Sequence, residues 1–106
     1  MIKKLLVISA SPRKGGNSDY LSDLFIYGAE EAGHQVEKVF LREKDINYCT
    51  ACYSCKKHAG RCAIKDDVPS IIDSMIDADV VLLSTPVYFY CMNAQLKTII
   101  DRSVMK

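Results

Sequence analysis

Four of the five cysteines fall between Cys49 and Cys62, spaced C-x2-C-x2-C-x6-C. Thiolates are soft ligands and good nucleophiles. Such a run can hold a metal, act as reactive thiols, or pack as small apolar side chains. A second set lies in "SASPRKGGNS", with hydroxyls at Ser9, Ser11 and Ser18, an amide at Asn17 and a cation at Arg13. These groups lead into a helix start, where backbone N–H groups and the helix dipole favour an anion. The stretch has neither G-x-G-x-x-G nor G-x-x-x-x-G-K-[ST], so it carries no dinucleotide or Walker fingerprint. The plainer alternative is a polar strand-to-helix turn with an N-cap. A third set, Pro86, Val87, Tyr88, Phe89 and Tyr90 in "STPVYFYCM", is an apolar aromatic cluster suited to a flat ring. Its alternative is a surface turn packed on the helix that follows.

The elements that must position these sets follow from hydrophobic period. Ile2 to Ile8 is an apolar run of strand length. From Asp19 the period changes, with Leu21, Leu24, Phe25, Gly28, Ala29 and Ala32 marking one helical face. Asn17 or Ser18 can cap that helix and Gly33 can close it. "HQVEKVFL" is the second strand. "DDVPSIIDSMIDAD" is the second long helix, with Asp66 or Asp67 at its cap, Pro69 in its first turn, and Val68, Ile71, Ile72, Met75 and Ile76 inward. Val80 to Leu83 is apolar at every position, as in a strand covered on both faces. A last helix runs from Asn93 to Lys106 with Leu96, Ile99, Ile100 and Val104 inward. Strands alternating with helices imply an α/β doubly wound parallel sheet with right-handed crossovers. All three chemical sets then sit in loops at the carboxyl edge of the sheet, where ligands bind in such folds.

Bulk properties narrow the function. A chain of 106 residues is one domain, residues 1–106, with the cysteine-rich loop 48–62 as an insert. A net charge of +1 with scattered Lys and Arg gives no case for nucleic acid or a membrane surface as partner. The N-terminal apolar run is about five residues, short of a secretory signal, and nothing approaches a membrane span. The expected location is the cytoplasm, where clustered cysteines point to metal or redox chemistry over disulfides. No Ser/His/Asp set or paired carboxylates suggest hydrolysis, and His34 reads as a surface residue.

Taken together, "ISASPRKGGNS", the cysteine run, "DDV" and "STPVYFYCMNAQLKTIIDR" resemble the flavodoxin-like NAD(P)H-dependent FMN reductase superfamily, and within it the iron–sulfur flavoprotein branch. The resemblance runs from Ile2 to Arg102, with the motifs in the family's order. It implies that Ser11, Arg13, Asn17 and Ser18, with Ser9 beside them, hold the FMN phosphate. It also implies that Pro86, Val87, Tyr88 and Phe89 line the isoalloxazine. Ala10 stands where relatives often have glycine. Members of the family continue past the "DR" motif, whereas this chain stops at Lys106. A sheet ordered 2-1-3 then leaves Val80–Leu83 as a bare apolar edge, an aggregation hazard. The expectation is therefore a fragment of a longer protein or, for a complete chain, a homo-oligomer whose second copy covers the edge.

For Cys49, Cys52, Cys55 and Cys62 the resemblance implies a [4Fe–4S] cluster. Four thiolates on a 2+ cluster leave about −2 charge, which Lys56, Lys57 and Arg61 in the same loop would partly offset. Zinc also accepts four cysteines, usually as two paired knuckles, and free thiols are the third possibility. Cys55 to Arg61 has the C-x5-R spacing of a phosphatase loop, but no Ser or Thr follows the arginine and the match is taken as coincidence. His58 is a spare ligand, and Cys91 reads as a packed thiol. The function expected is electron transfer by a flavoprotein oxidoreductase, with a ferredoxin or NAD(P)H as donor. The alternatives are a cluster-free NAD(P)H-dependent FMN or quinone reductase, and a non-catalytic metal- or partner-binding module.

Overall fold

The computed structural model describes residues 1–106. Its centre is a three-stranded parallel sheet ordered β2-β1-β3. The strands are β1 (Lys4–Ser9), β2 (Gln35–Phe40) and β3 (Val80–Ser84), and α1 (Asn17–Glu31) connects the first two. Beyond β2, a short 3-10 turn (Leu41–Glu43) opens the cysteine loop, which holds a single turn of helix, α2 (Ser54–Lys57). Then α3 (Val68–Asp77) leads into β3. The chain continues through a hairpin, β4 (Val87–Tyr88) with β5 (Cys91–Met92), into α4 (Ala94–Arg102) and a last 3-10 turn (Ser103–Met105). This is the doubly wound α/β arrangement expected from the alternation of periods, with the 2-1-3 order of the flavodoxin-like family that the chain resembles. No helix is long and apolar enough to cross a membrane.

Register decides what reaches the ligand edge. Ser9, the last residue of β1, pairs with Phe40 on one side and Ser84 on the other. The three strands therefore end together, and the loops beginning at Ala10, Leu41 and Thr85 leave one rim. Ala10 N–H extends the ladder by donating to the Ser84 carbonyl at 2.8 Å.

Strand alternation splits β1 between two layers. Leu6, Ile8 and Ala10 join Leu41, Val68, Ile71, Ile72, Leu96, Ile99 and Met105 in one buried cluster under α3 and α4. Leu5 and Val7 face the other way, and Ser9 there bonds Asp19 of α1 at 2.8 Å. Burying the first layer stabilises the fold at about 25 cal/mol per Å2 of apolar surface.

Several local expectations change in the folded chain. The N-cap of α1 is Gly16, with no side-chain cap from Asn17 or Ser18. Gly33 closes α1 as expected, with φ of +89°, a conformation that glycine adopts without strain. The residues α1 buries are Asp19 and Ser22, while Leu21, Leu24 and Phe25 are exposed. Leu21 and Phe25 instead line an open groove of about 400 Å3 with Leu82 and Leu83 of β3. The reason is geometric: β3 is the sheet's edge, so nothing stands beyond it for that stripe to meet. Ile76, Ile100 and Val104 are also exposed, whereas Arg102 and Met105 take the inward places at the end of α4. Asn93 does cap α4, its Oδ1 accepting from Leu96 N–H at 3.1 Å.

Candidate functional site

The first and third loops meet in one cleft of about 460 Å3. Ser11, Arg13, Asn17 and Ser18 form one wall, and Pro86, Val87 and Tyr88 the other. Backbone chemistry explains how the first wall is made. Gly15 sits at φ +75°, in the left-handed region that a side chain disfavours. Gly16 then opens α1 without a side chain, so its N-terminal N–H groups have no side-chain cap. A Cβ at Gly16 would stand 3.4 Å from the Arg13 guanidinium and 3.9 Å from Ser11 Oγ. The missing atom is the floor of a small cradle roofed by a cation. Arg13 makes no ion pair within the chain. An unpaired guanidinium over uncapped helix N–H groups suits a phosphate, so the residues present fit FMN at this end.

Ser9 lies outside this wall. It is wholly buried and its hydroxyl donates to Asp19. Asp19 also accepts from Gly15 N–H at 3.1 Å and pairs with Lys38 at 3.0 Å. Burial pushes the Asp19 carboxyl up, but the Gly15, Ser9 and Lys38 contacts outweigh it and hold the pKa at about 2. Arg42 sits 3.6 Å from the same carboxylate and donates to the Ser11 carbonyl at 3.3 Å. A buried carboxylate thus anchors the loop from below, a role with no spacing signal in the sequence.

The opposite wall is held by Asn93, which is 1% exposed. Besides capping α4, it donates from Nδ2 to the Ala10 carbonyl at 2.6 Å and from its backbone N–H to Thr85 Oγ1 at 3.1 Å. One asparagine therefore ties both loops to the same helix start. The aromatic residues beyond form a tight hairpin, with Phe89 and Tyr90 in its two-residue turn at φ +49° and +67°. Both side chains are 94% exposed and stack edge to face with centroids 5.8 Å apart. Phe89 does not line the cleft itself; it stands at the hairpin tip.

The cysteine loop builds a separate cavity of about 340 Å3 on the same rim. Cys49, Cys52, Cys55 and Cys62 all line it, with Lys56, Arg102, Val104 and Met105. Ala51, Tyr53 and Ala59 take positive φ in this loop, and strain of this kind concentrates at functional sites. No three His, Cys, Asp or Glu side chains converge as ligands for one metal ion. Lys56 donates to the Val104 carbonyl at 2.9 Å, so one of the loop's cations is fixed at this wall. Lys57, His58 and Arg61 are exposed.

Arg102 has no site signal in the sequence, where an arginine near the end of a helix reads as a surface charge. It is 1% exposed and donates to Asp66 Oδ2 at 2.6 Å, to the Asn47 carbonyl at 2.9 Å and to Cys62 Sγ at 3.2 Å. Burial pushes the Asp66 carboxyl up, but the bonds from Arg102, Asn47 and Val68 N–H outweigh it and keep it below the usual range. Arg102 Nε is buried with no acceptor. A buried donor without a partner beside four thiols is the observation that fits a sulfur-rich group in this cavity.

A parallel sheet ordered 2-1-3, a phosphate-type cradle after β1 and an aromatic hairpin after β3 define a flavodoxin-like flavin-binding architecture. The chain belongs to the NADPH-dependent FMN reductase family, whose sequence profile matches residues 3–105. Its curated relatives include iron–sulfur flavoproteins. It is 40% identical over 99 residues to an iron–sulfur flavoprotein of Archaeoglobus fulgidus, covering 93% of this chain and 44% of the relative. It is 41% identical over 100 residues to one of Methanocaldococcus jannaschii, covering 94% and 51%. The chain thus spans about half the length of the curated relatives it matches. Among solved structures, a flavone reductase superposes with TM-score 0.73 at 29% identity, over 93% of this chain and 29% of that one. The NAD(P)H:quinone oxidoreductase of Methanothermobacter marburgensis gives 0.78 at 20% identity, over 97% and 53%, a likeness of fold.

Proposed function

We propose that this chain carries the FMN-binding and cluster-binding half of an electron-transfer flavoprotein. The observation that supports the reading best is the placement of two different cavities on one sheet rim, a cationic cradle joined to an aromatic hairpin and a pocket lined by all four clustered cysteines. Arg13, Ser11, Asn17 and Ser18 with the first N–H groups of α1 would bind the FMN phosphate. Pro86, Val87 and Tyr88 would flank the ring, with Phe89 closing over it from the hairpin. Cys49, Cys52, Cys55 and Cys62 would hold a [4Fe–4S] cluster. When bound, FMN exchanges electrons in pairs or singly and the cluster passes one at a time, so together they join a two-electron donor to a one-electron acceptor. The residues of this chain supply binding, orientation and charge. NAD(P)H fits the family as electron donor, and a ferredoxin fits the one-electron side. The exposed apolar groove of Leu21, Phe25, Leu82 and Leu83 is consistent with cover by further chain or by a second copy.

The test is a visible spectrum of anaerobically purified protein with iron, sulfide, zinc and FMN quantified on one sample. A broad dithionite-bleachable band with about four irons per chain, together with flavin bands, is the expected result. Flavin bands without iron, and turnover with NAD(P)H, would replace the reading with a cluster-free FMN or quinone reductase. A colourless protein that takes up neither iron nor FMN would leave a binding module with no redox role.

A further inference from the structure

We infer that Arg102 is a positioning residue for the cysteine cavity, fixing the Cys62 sulfur and setting the reduction potential of the cluster held there. The inference rests on the cluster reading just proposed. Its structural basis is a buried guanidinium that forms part of the cavity wall while being 1% exposed. Nη2 donates to Cys62 Sγ at 3.2 Å, and Nη1 is held by Asp66 and the Asn47 carbonyl. Nε remains a buried donor without an acceptor. Guanidinium has five donors in a rigid fork and keeps its charge at any working pH. Two anchors, the Asp66 carboxylate and the Asn47 carbonyl, therefore fix a permanent positive charge against one ligand sulfur. The one other hydrogen bond to a clustered cysteine sulfur runs from Ala51 N–H to Cys49 Sγ at 3.4 Å, and it carries no charge.

Reducing a [4Fe–4S]2+ cluster adds one electron and one unit of negative charge. A fixed cation donating to a ligand sulfur stabilises the reduced form more than the oxidised form, which raises the potential. Asp66 acts from behind the guanidinium with the opposite sign, its side chain 0% exposed. The pair is a matched tuning device: removing the arginine and removing the carboxylate must move the potential in opposite directions. A purely structural role for the pair predicts no such opposition.

The test is a dithionite-driven potentiometric titration of anaerobically reconstituted protein, followed by electron paramagnetic resonance of the reduced cluster. Circular dichroism on each variant checks folding. Arg102→Gln is expected to lower the equilibrium constant for one-electron reduction at least tenfold, a fall of about 59 mV. Arg102→Lys keeps the charge but cannot span Cys62, Asp66 and Asn47 together, so its potential should lie between the two. Asp66→Asn should move the potential upward. If Arg102→Gln does not fold, the comparison of Arg102→Lys with the wild type carries the test, and equal potentials there overturn the inference. Unchanged potentials throughout, or shifts of one sign from both ends of the pair, also overturn it. A wild-type protein that takes up no iron overturns the cluster reading itself, and the inference with it.

Discussion

Asn93 and Ala10 stand 83 residues apart in sequence and are joined by a 2.6 Å hydrogen bond from the amide Nδ2 to the backbone carbonyl. The same side chain caps α4 through Leu96 N–H. The loop after β1 and the helix after the aromatic hairpin therefore share one buried anchor. Asn93→Ala removes the cap, worth about 1 kcal/mol, and leaves a buried carbonyl unpaired at a further 1–3 kcal/mol or so. The expected loss is about 2–4 kcal/mol, measured by urea denaturation. Asn93→Ser keeps a cap acceptor and loses the Ala10 bond, so it should fall between. A loss under about 0.5 kcal/mol in Asn93→Ala would mean that the anchor is idle.

Asp19 gives the protein a defined acid sensitivity. Its pKa is about 2 in the folded chain, against about 3.9 for an unfolded aspartate. A depressed carboxylate stabilises the fold fully above about pH 4, and that contribution disappears as pH falls through 2. The size is about 2 kcal/mol. Denaturation curves at pH 7, 4, 3 and 2 should show the wild type losing that amount more than Asp19→Asn across the acid range. Equal slopes for both proteins would remove Asp19 as the source.

Much of this architecture is legible in the sequence because period and rim position are local properties. The strand-length run of β1, the apolar run of β3 and the Gly33 stop all carry the signal within a few residues. What is not legible depends on partners far away in the chain. Leu21 and Phe25 form a proper helical stripe, yet their burial depends on what lies beyond β3. Arg102 looks like a solvated helix-end charge until Asp66 and Cys62 arrive from other segments. Asp19 reads as an ordinary first-turn acid, and only the packing of β1 and β2 turns it into the loop's buried anchor. Charged residues obey distant geometry, while apolar periods declare themselves.

Arg13 offers a clean test of the phosphate cradle, because riboflavin is FMN without the phosphate. A charge-assisted hydrogen bond is worth about 1.5–3 kcal/mol, so Arg13→Ala should weaken FMN binding by roughly tenfold to a hundredfold. Riboflavin affinity should change by less than about twofold, since it presents no anion to that guanidinium. Fluorescence titrations with both flavins measure this directly. Equal losses for both would put Arg13 against the ring instead of the phosphate.

The aromatic hairpin makes the last prediction, and it sets stability against binding. Phe89 and Tyr90 both occupy positive φ in a two-residue turn, a geometry that Asn-Gly adopts readily and aromatic residues do not. Each misplaced residue costs on the order of 1 kcal/mol. Both rings are nearly bare to solvent, so little packing offsets that cost within the chain. Replacing the pair by Asn-Gly should therefore stabilise the protein by about 1–2 kcal/mol, read as a higher denaturation midpoint. If the strain holds Phe89 over a bound flavin, the same variant should lose FMN affinity roughly tenfold, with FMN and riboflavin affected alike because the contact is to the ring. A stabilised variant with unchanged flavin affinity would free the hairpin from the flavin and leave its exposed aromatics to some other contact.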